Sequence, residues 1–278
     1  MAAFAAAAAG LVSCDKITGA TAYEAGSDEY DGEIVFSAGG PGLELETKAL
    51  EVNNFSSFNA IATSGEAESE SEVWKTTANK GGTGKFDTGK YWPSTDKKYN
   101  FYGSNVSMQT GAQGATVTVP DCGTDVLCAY TPKPTFNVSP VNLTFSHILS
   151  RLTTISVTSN YGYVITVTDI KLKSVVHSGV YNLRTQEWSS KGSVSDVNLV
   201  ADGSDNDAWM IPGTYTLQIA YTLTKGDFSQ SYEAEQDIAV EAGKKHVITG
   251  NVTKDPAQQL NISVNIVPWT PRTGTVTL

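Results

Sequence analysis

Cys14 is the residue whose type and surroundings predict a chemical modification most directly. It ends Leu11-Val12-Ser13-Cys14, which has the order of a lipobox, and it follows the apolar run MAAFAAAAAGLV of residues 1–12. That run is too short to span a bilayer, which needs about 20 apolar residues. In a lipobox the thiol receives a diacylglycerol, the signal peptidase cuts before the cysteine, and acyl chains anchor the protein in a leaflet. We therefore expect residues 1–13 to be a signal peptide and Cys14 to anchor an outer-membrane lipoprotein.

The residues before this motif leave two alternatives open. No Lys or Arg precedes the apolar run, so the sequence also allows a start upstream of Met1, or an Ala-rich leader with a chance cysteine. Small and polar residues continue from Cys14 to about Gly32. Such a composition is typical of a tether that holds a folded part away from a membrane.

Cys122 and Cys128 are the other two cysteines, and they lie six positions apart. In an exported chain, two close cysteines can form a disulfide that closes a small loop. Two free thiols in or beside a strand fit the sequence equally well. The sequence leaves both states open.

The histidines and one glycine-rich segment do not match a catalytic pattern. His147, His177 and His246 are isolated, and no HExxH pair or GxSxG elbow occurs. The segment GKFDTGKY of residues 84–91 approaches a P-loop, but Tyr91 stands where a Ser or Thr hydroxyl must hold Mg²⁺. We therefore predict neither an enzyme nor a nucleotide cofactor.

Two acidic stretches could in principle hold a metal ion. The aspartates at 202, 205 and 207 miss the alternate-residue spacing of a calcium loop, so an acidic turn is the better interpretation. The run EAESESE of residues 66–72 is typical of a solvated loop. We predict no metal site.

The overall charge excludes one class of function. Lys and Arg number 19 against 29 Asp and Glu, so the net charge is −10 and the pI is about 4.8. A nucleic-acid binder that neutralises phosphates needs the opposite balance. We therefore expect no nucleic-acid partner.

Apolar and polar residues alternate with a period of two along much of the chain. The clearest examples are residues 115–119, 214–224 and 260–266. Such alternation predicts half-buried strands, and the Gly, Pro, Asn and Asp clusters between them predict turns. Many short strands joined in this way favour an all-β fold of antiparallel sandwiches. A boundary between two of them is expected between residues 140 and 151, after a proline-spaced stretch.

An ordered set of segments carries a family resemblance. The segments are LELETKAL (43–50) with NFSSFNA (54–60), YWP (91–93) with KYNFYG (98–103), DVLCAY (125–130) with LTFSHILSRL (143–152), AGKKHVI (242–248) and ISVNIVPW (262–269). Together they resemble the fimbrillins of the Bacteroidales, the shaft subunits of type V pili. The resemblance implies two tandem transthyretin-like β-sandwich domains, in residues 49–147 and 148–278. Residues 14–48 would form a tether and a removable N-terminal strand.

The resemblance also implies a route of assembly. A trypsin-like surface protease would cut between Lys48 and Ala49 and remove the strand within residues 32–48. The C-terminal strand of another copy, or of an accessory pilus subunit, would then fill the vacated groove. That donor would lie within residues 260–278, with apolar positions Leu260, Ile262, Val264, Ile266, Val276 and Leu278.

One departure from the family pattern bears on processing. The first arginine of the chain is Arg151, so an arginine-specific protease could not cut near the N-terminus. Cleavage after Lys48 needs an enzyme that accepts lysine. Without cleavage the protein would stay anchored through lipid, as suits a basal anchor subunit. The alternative to a shaft subunit is therefore an accessory fimbrial protein, either a lipid-retained anchor or an adhesive tip.

A third hypothesis comes from a different class of protein. A surface lipoprotein of a nutrient-uptake system could present aromatic side chains to sugar rings. The candidates are Trp74, Trp92, Trp188 and Trp209. Packing in the core or in hairpins is the alternative role for each of them.

Overall fold

The computed structural model describes residues 33–39, 55–94, 97–134, 140–199, 208–252 and 260–268. In this part of the chain the regular elements are β-strands, and no helix is long and apolar enough to cross a membrane. The first ten strands are β1 (Glu33–Gly39), β2 (Ser57–Ser64), β3 (Ser71–Lys80), β4 (Phe86–Tyr91), β5 (Tyr99–Ser104), β6 (Met108–Gly111), β7 (Gly114–Val119), β8 (Leu127–Thr131), β9 (Val141–Thr144) and β10 (Ser146–His147).

Ten further strands follow in the second half of the described residues. They are β11 (Ser150–Ser159), β12 (Val164–Val176), β13 (Gly179–Asn182), β14 (Glu187–Lys191), β15 (Val194–Leu199), β16 (Ala208–Met210), β17 (Gly213–Lys225), β18 (Phe228–Val240), β19 (Lys244–Val252) and β20 (Leu260–Pro268).

The first sheet has eight strands in the order β10-β8-β5-β2-β3-β4-β1-β9. It forms around an aromatic core, because phenylalanines from distant strands meet on its inner side. The ring of Phe58 lies 4.9 Å from that of Phe86 and 5.1 Å from that of Phe145, centroid to centroid. Gly103 lets Phe145 approach, since a Cβ there would lie 2.9 Å from the Phe145 ring. Nearly every pairing in this sheet is antiparallel, but β1 runs parallel to β9.

Two four-stranded sheets, β16-β11-β19-β20 and β15-β12-β17-β18, form the C-terminal sandwich. Every second residue in the middle of β17 is buried, and the residues between them are Thr, Gln and Ala. The buried residues are Tyr215, Leu217, Ile219, Tyr221 and Leu223. They pack in one core with Leu152 of β11 and Ile248 of β19, which come from the opposite sheet.

A fourth sheet, β14-β13-β7-β6, combines strands from both halves of the sequence. β13 pairs with β7 in an antiparallel register that sets Gly179 opposite Val119. Beneath it lies a third core, which joins Tyr102 and Met108 to Trp209 and other residues of the second half. A packed apolar core of this kind holds the two halves together.

The prediction of an all-β fold built from antiparallel sheets is confirmed, and the three alternating segments are β7, β17 and β20. The domain boundary between residues 147 and 148 stays a prediction. The hairpin β13–β14 lies beyond that boundary in sequence, yet it pairs with β7 before it.

Candidate functional site

β1 is the strand on which the assembly hypothesis depends, and it occupies an interior position in the first sheet. It pairs with β4 in antiparallel fashion, with Phe36 opposite Phe86, and with β9 in parallel fashion, with Phe36 opposite Val141. β1 therefore bridges β4 and β9. Its removal would expose the paired edges of both strands.

The side chains of β1 alternate between the core and the surface. Ile34 and Phe36 are fully buried, whereas Val35 is half-buried on the other face. The Phe36 ring lies 5.7 Å from the ring of Phe101 and 5.8 Å from that of Phe58. Burial of one such side chain contributes about 1.5–3 kcal/mol. The apolar face of β1 is thus an integral part of the core.

Polar groups also hold β1 in place along its length. Thr88 Oγ1 donates to the Ile34 carbonyl at 2.5 Å, and the Phe145 amide donates to the Gly39 carbonyl at 2.7 Å. The Gly89 amide donates to Glu33 Oε1 at 3.0 Å. Removing β1 would leave these donors and the ladder groups of two strands without their partners, at a cost of about 1–3 kcal/mol for each buried group. Another strand would therefore fill such a groove better than water does, because it can pair with these groups.

The removable segment predicted at residues 32–48 is described only over β1. Ile34 and Phe36, two of its apolar residues, lie in the core, and Val35 points the other way. The cleavage site Lys48–Ala49 and the lipidation site Cys14 lie outside the described residues.

The predicted donor region contains β20, an edge strand of the C-terminal sandwich. It pairs with β19 in antiparallel fashion from Leu260 to Pro268. Ile262 is buried, Val264 is half-buried and Ile266 is 43% exposed. Burial of this apolar face thus declines along the strand. Val276 and Leu278 lie outside the described residues.

Cys122 and Cys128 are free thiols in the structure, and both are buried. Cys122 Sγ donates to the His177 carbonyl at 3.3 Å, and Cys128 Sγ donates to Ser104 Oγ at 3.8 Å. Burial raises the pKa of Cys122 to about 11 and that of Cys128 to about 12. Neither thiol is therefore a ready nucleophile at neutral pH, because the thiolate is the reactive form.

A buried network centred on Glu70 was missed by the sequence analysis, which placed residues 66–72 in a solvated loop. The Glu70 carboxylate accepts hydrogen bonds from Asn100 Nδ2 at 2.9 Å and from the Tyr102 hydroxyl at 2.8 Å. Thr63 Oγ1 and Arg184 Nη1 also donate to it. Burial and the Glu70 carboxylate together raise the pKa of Tyr102. The other residues of 66–72 are exposed, but Ser71 and Glu72 begin β3, so the loop prediction is wrong for these two residues as well as for the burial of Glu70.

The histidines and tryptophans singled out by sequence take several positions. His147 Nδ1 lies 2.7 Å from Asp125 Oδ2 in a buried pair. Trp92 and Trp209 are buried in two different cores, which removes them from contact with a ligand. Trp74 and Trp188 are half-buried.

The segments that resembled metal or nucleotide sites offer no such site in the described residues. Gly84 lies in the short turn between β3 and β4, so no helix follows the glycines as a P-loop requires. In the part of the chain that the structure describes, no group of three His, Cys, Asp or Glu side chains could hold a metal ion. The aspartates at 202, 205 and 207 lie outside that part.

Solved structures share this fold at low sequence identity. A candidate cell adhesion protein from Bacteroides uniformis matches with a TM-score of 0.55 and 18% identity, over 86% of this chain and 100% of that chain. A second from Bacteroides ovatus matches with a TM-score of 0.51 and 17% identity, over 85% and 97%. A fimbrial assembly protein from Parabacteroides distasonis matches with a TM-score of 0.50 and 9% identity, over 84% and 99%. At these identities the likeness establishes the fold, so the chain belongs to the class of all-β sandwich proteins.

The family assignment comes from the sequence itself. The family model described as fimbrillin-like matches residues 45–269, which is most of the chain, so the chain belongs to the fimbrillin-like family. The family resemblance stated above is thereby confirmed. No curated protein sequence matches the chain.

Proposed function

We propose that this protein is a structural subunit of a cell-surface fimbria that acts in adhesion. Membership of the fimbrillin-like family supports a fimbrial role. The observation that carries the assembly mechanism is the position of β1, a strand with two fully buried side chains between β4 and β9. Its neighbours in the fold include proteins described as cell adhesion and fimbrial assembly proteins, which agrees with the same role.

Assembly would proceed by exchange of the strand at this position. A trypsin-like surface protease cuts after Lys48 and releases β1, which leaves an apolar groove with unpaired backbone groups. The C-terminal strand of a second copy, or of an accessory subunit, enters the groove and restores the ladder. Because the donor and acceptor surfaces are different, each added copy leaves a new groove and the assembly grows as a fibre.

The donor must reproduce the apolar spacing of β1. Ile34 and Phe36 are two positions apart, and Val276 and Leu278 have the same spacing at the end of the chain. Leu260, Ile262, Val264 and Ile266 also have it, but β20 already pairs with β19 over nine residues. Residues 269–278, at about 3.3 Å each, are long enough to replace the seven residues of β1 without dissolving that pairing. We therefore assign the groove-filling part of the donor to Val276 and Leu278.

Cys14 would determine where the protein is held before assembly. Its acylation would hold the precursor in the outer membrane, and cleavage after Lys48 would release the subunit from its lipid. A subunit that escapes cleavage would keep both its anchor and β1, so it would serve at the base of the fimbria. The fate of Lys48 therefore separates a shaft subunit from an anchor.

Replacement of Lys48 by Ala tests the processing step. Wild-type protein from the native cell surface should begin at Ala49 and form polymers, whereas the Lys48→Ala protein should keep an acylated Cys14 and stay monomeric. Lys85→Ala, in the exposed turn between β3 and β4, is the matched control and should behave as wild type. Mass spectrometry of the N-terminal peptide and electron microscopy provide the readouts. A wild-type chain that begins at Cys14 and still polymerises would disprove the mechanism.

A second pair of variants tests the donor. Val276→Asn with Leu278→Asn should prevent polymer growth, because asparagine in an apolar groove leaves polar groups unpaired. Thr275→Asn with Thr277→Asn changes the alternate face and should leave polymerisation intact. Size-exclusion chromatography of protein cleaved at Lys48 measures both. Normal fibres from the Val276 and Leu278 variant would assign the donor to β20 instead.

A further inference from the structure

A cavity of about 510 Å³ lies at the end of the first sheet where β2 and β8 finish and β5 begins. It is unrelated to the position of β1. The residues that line it are Ser64, Gly65, Glu66, Lys97, Lys98 and Lys133. We call this set of residues the lysine pocket.

The charge of the lysine pocket is opposite to that of the whole protein. Three lysines and one glutamate leave a local charge of 3 − 1 = +2, although the chain as a whole carries −10. Lys133 Nζ lies 2.6 Å from Glu66 Oε1. The hydrogen bond and the charge of the Lys133 ammonium group lower the pKa of the Glu66 carboxyl, so the two groups form an ion pair at neutral pH. Lys97 and Lys98 are exposed.

The backbone around the pocket is held in uncommon conformations. Lys133 has a φ of +39°, a conformation that residues with a side chain rarely adopt. Its amide donates to Oδ1 of Asn100 at 3.3 Å, and Asn100 is itself buried against Glu70. Gly65 has a φ of +114°, and a Cβ there would lie 2.6 Å from the Ser69 carbonyl oxygen. The backbone at Gly65 and Lys133 is thus fixed by the fold before any ligand arrives, so binding does not have to order this part of the pocket.

We propose that the lysine pocket binds a phosphate monoester carried by a saccharide. A phosphate monoester carries about −1.5 to −2 charge at pH 7, which matches the local charge of the pocket. Lysine ammonium groups bind phosphate as point charges. The cavity falls within the roughly 300–1,000 Å³ range of small-ligand sites, so it has room for a sugar ring besides the phosphate.

The residues that line the pocket indicate which kind of phosphate-bearing molecule fits it. None of its six residues is aliphatic or aromatic, so no surface is offered to a nucleobase or an acyl chain. A sugar ring needs hydrogen-bonding groups instead, and the lining includes Ser64, which carries a hydroxyl, and Gly65, which has no side chain to cover its backbone. This site does not depend on polymerisation, so it can be tested on the whole unpolymerised chain.

Titration calorimetry at low ionic strength tests the proposal with three probes. Glucose 6-phosphate should bind more tightly than inorganic phosphate, and glucose should not bind measurably. The double variant Lys97→Gln with Lys98→Gln should weaken glucose 6-phosphate binding by about tenfold or more, since it removes two of the charges that attract the phosphate. Lys171→Gln with Lys173→Gln removes the same charge from the C-terminal sandwich and should leave the affinity unchanged.

Three results would overturn the proposal. The first is no binding of glucose 6-phosphate to the wild-type chain. The second is an equal loss of affinity in the Lys171 and Lys173 control, which would assign the effect to total charge. The third is equal affinity for inorganic phosphate and glucose 6-phosphate, which would reduce the site to a simple anion site. Thermal melts of each variant establish that the fold is retained, as expected because Lys97 and Lys98 are exposed.

Discussion

Arg184, on the turn between β13 and β14, donates a hydrogen bond to the buried carboxylate of Glu70, in the loop between β2 and β3. The two residues are 114 positions apart in sequence. Their contact fastens the hairpin β13–β14 to the first sheet. Glu70 has a fully buried side chain, whereas that of Arg184 is 20% exposed. The ion pair therefore joins the two halves of the molecule through a carboxylate that water does not reach.

Removal of Arg184 should destabilise the protein strongly. Arg184→Met leaves the buried Glu70 charge without its cation, and we expect a loss of about 2–4 kcal/mol, somewhat reduced by the exposure of Arg184. Glu70→Gln combined with Arg184→Met removes both charges and should recover part of that loss. Urea unfolding measures all three proteins. Equal stability of Arg184→Met and wild type would show that the ion pair is energetically neutral.

Truncation of Phe36 should destabilise the whole chain far more than truncation of its neighbour. Phe36→Ala removes a fully buried ring and should cost about 3–5 kcal/mol. Val35→Ala, on the half-buried face of the same strand, should cost less than about 1.5 kcal/mol. Thermal or urea unfolding of the whole chain provides the comparison. Similar losses for the two variants would contradict the orientation of β1.

His246 should make the protein less stable in mild acid. Its Nε2 accepts from the Glu241 amide and its Nδ1 donates to the Arg151 carbonyl, which suits the neutral ring. Burial lowers the pKa of His246 below its usual value of 6.5. Between these two pKa values the unfolded chain binds more protons than the folded one, so the free energy of unfolding falls as the pH drops below about 6.5.

The contribution of His246 can be separated from that of other titrating groups. Unfolding free energies are measured in urea at pH 7.5 and pH 5.5 for wild type and His246→Gln. The decrease between these pH values should be smaller in His246→Gln, and His177→Gln is the control that should keep the wild-type decrease. An identical decrease in unfolding free energy in all three proteins would show that His246 is not its source.

Cys122 and Cys128 should resist alkylation while the protein is folded. With pKa values of about 11 and about 12, only on the order of 0.1% of the Cys122 thiol is ionised at pH 8. Iodoacetamide should label both residues slowly in buffer and rapidly in urea. Peptide mapping by mass spectrometry distinguishes them from Cys14. Rapid labelling of the folded chain, or a mass two units lower from a disulfide, would contradict the free and buried thiols.

The short-range patterns of the sequence determined the strands and the family. The alternation that predicted residues 214–224 as a strand corresponds to β17, because a period of two places every second side chain on one face. The order of the motifs carried the resemblance to the fimbrillins, and the family match confirms this resemblance. The strand predicted within residues 32–48 corresponds to β1, and Ile34 and Phe36 lie in it. In each case the decisive information lies within a few neighbouring residues.

Only the tertiary structure decided which strands pair and which polar groups are buried. The parallel pairing of β1 with β9, and the joining of β13 to β7, connect residues far apart in the chain. Glu70 resembles the other glutamates of its loop in sequence, but it alone is enclosed by Asn100, Tyr102 and Arg184. Local alternation specifies which face of a strand is apolar, and it carries no information about the partner strand. That choice depends on the fit of side chains across the whole core, which exists only once the chain has folded.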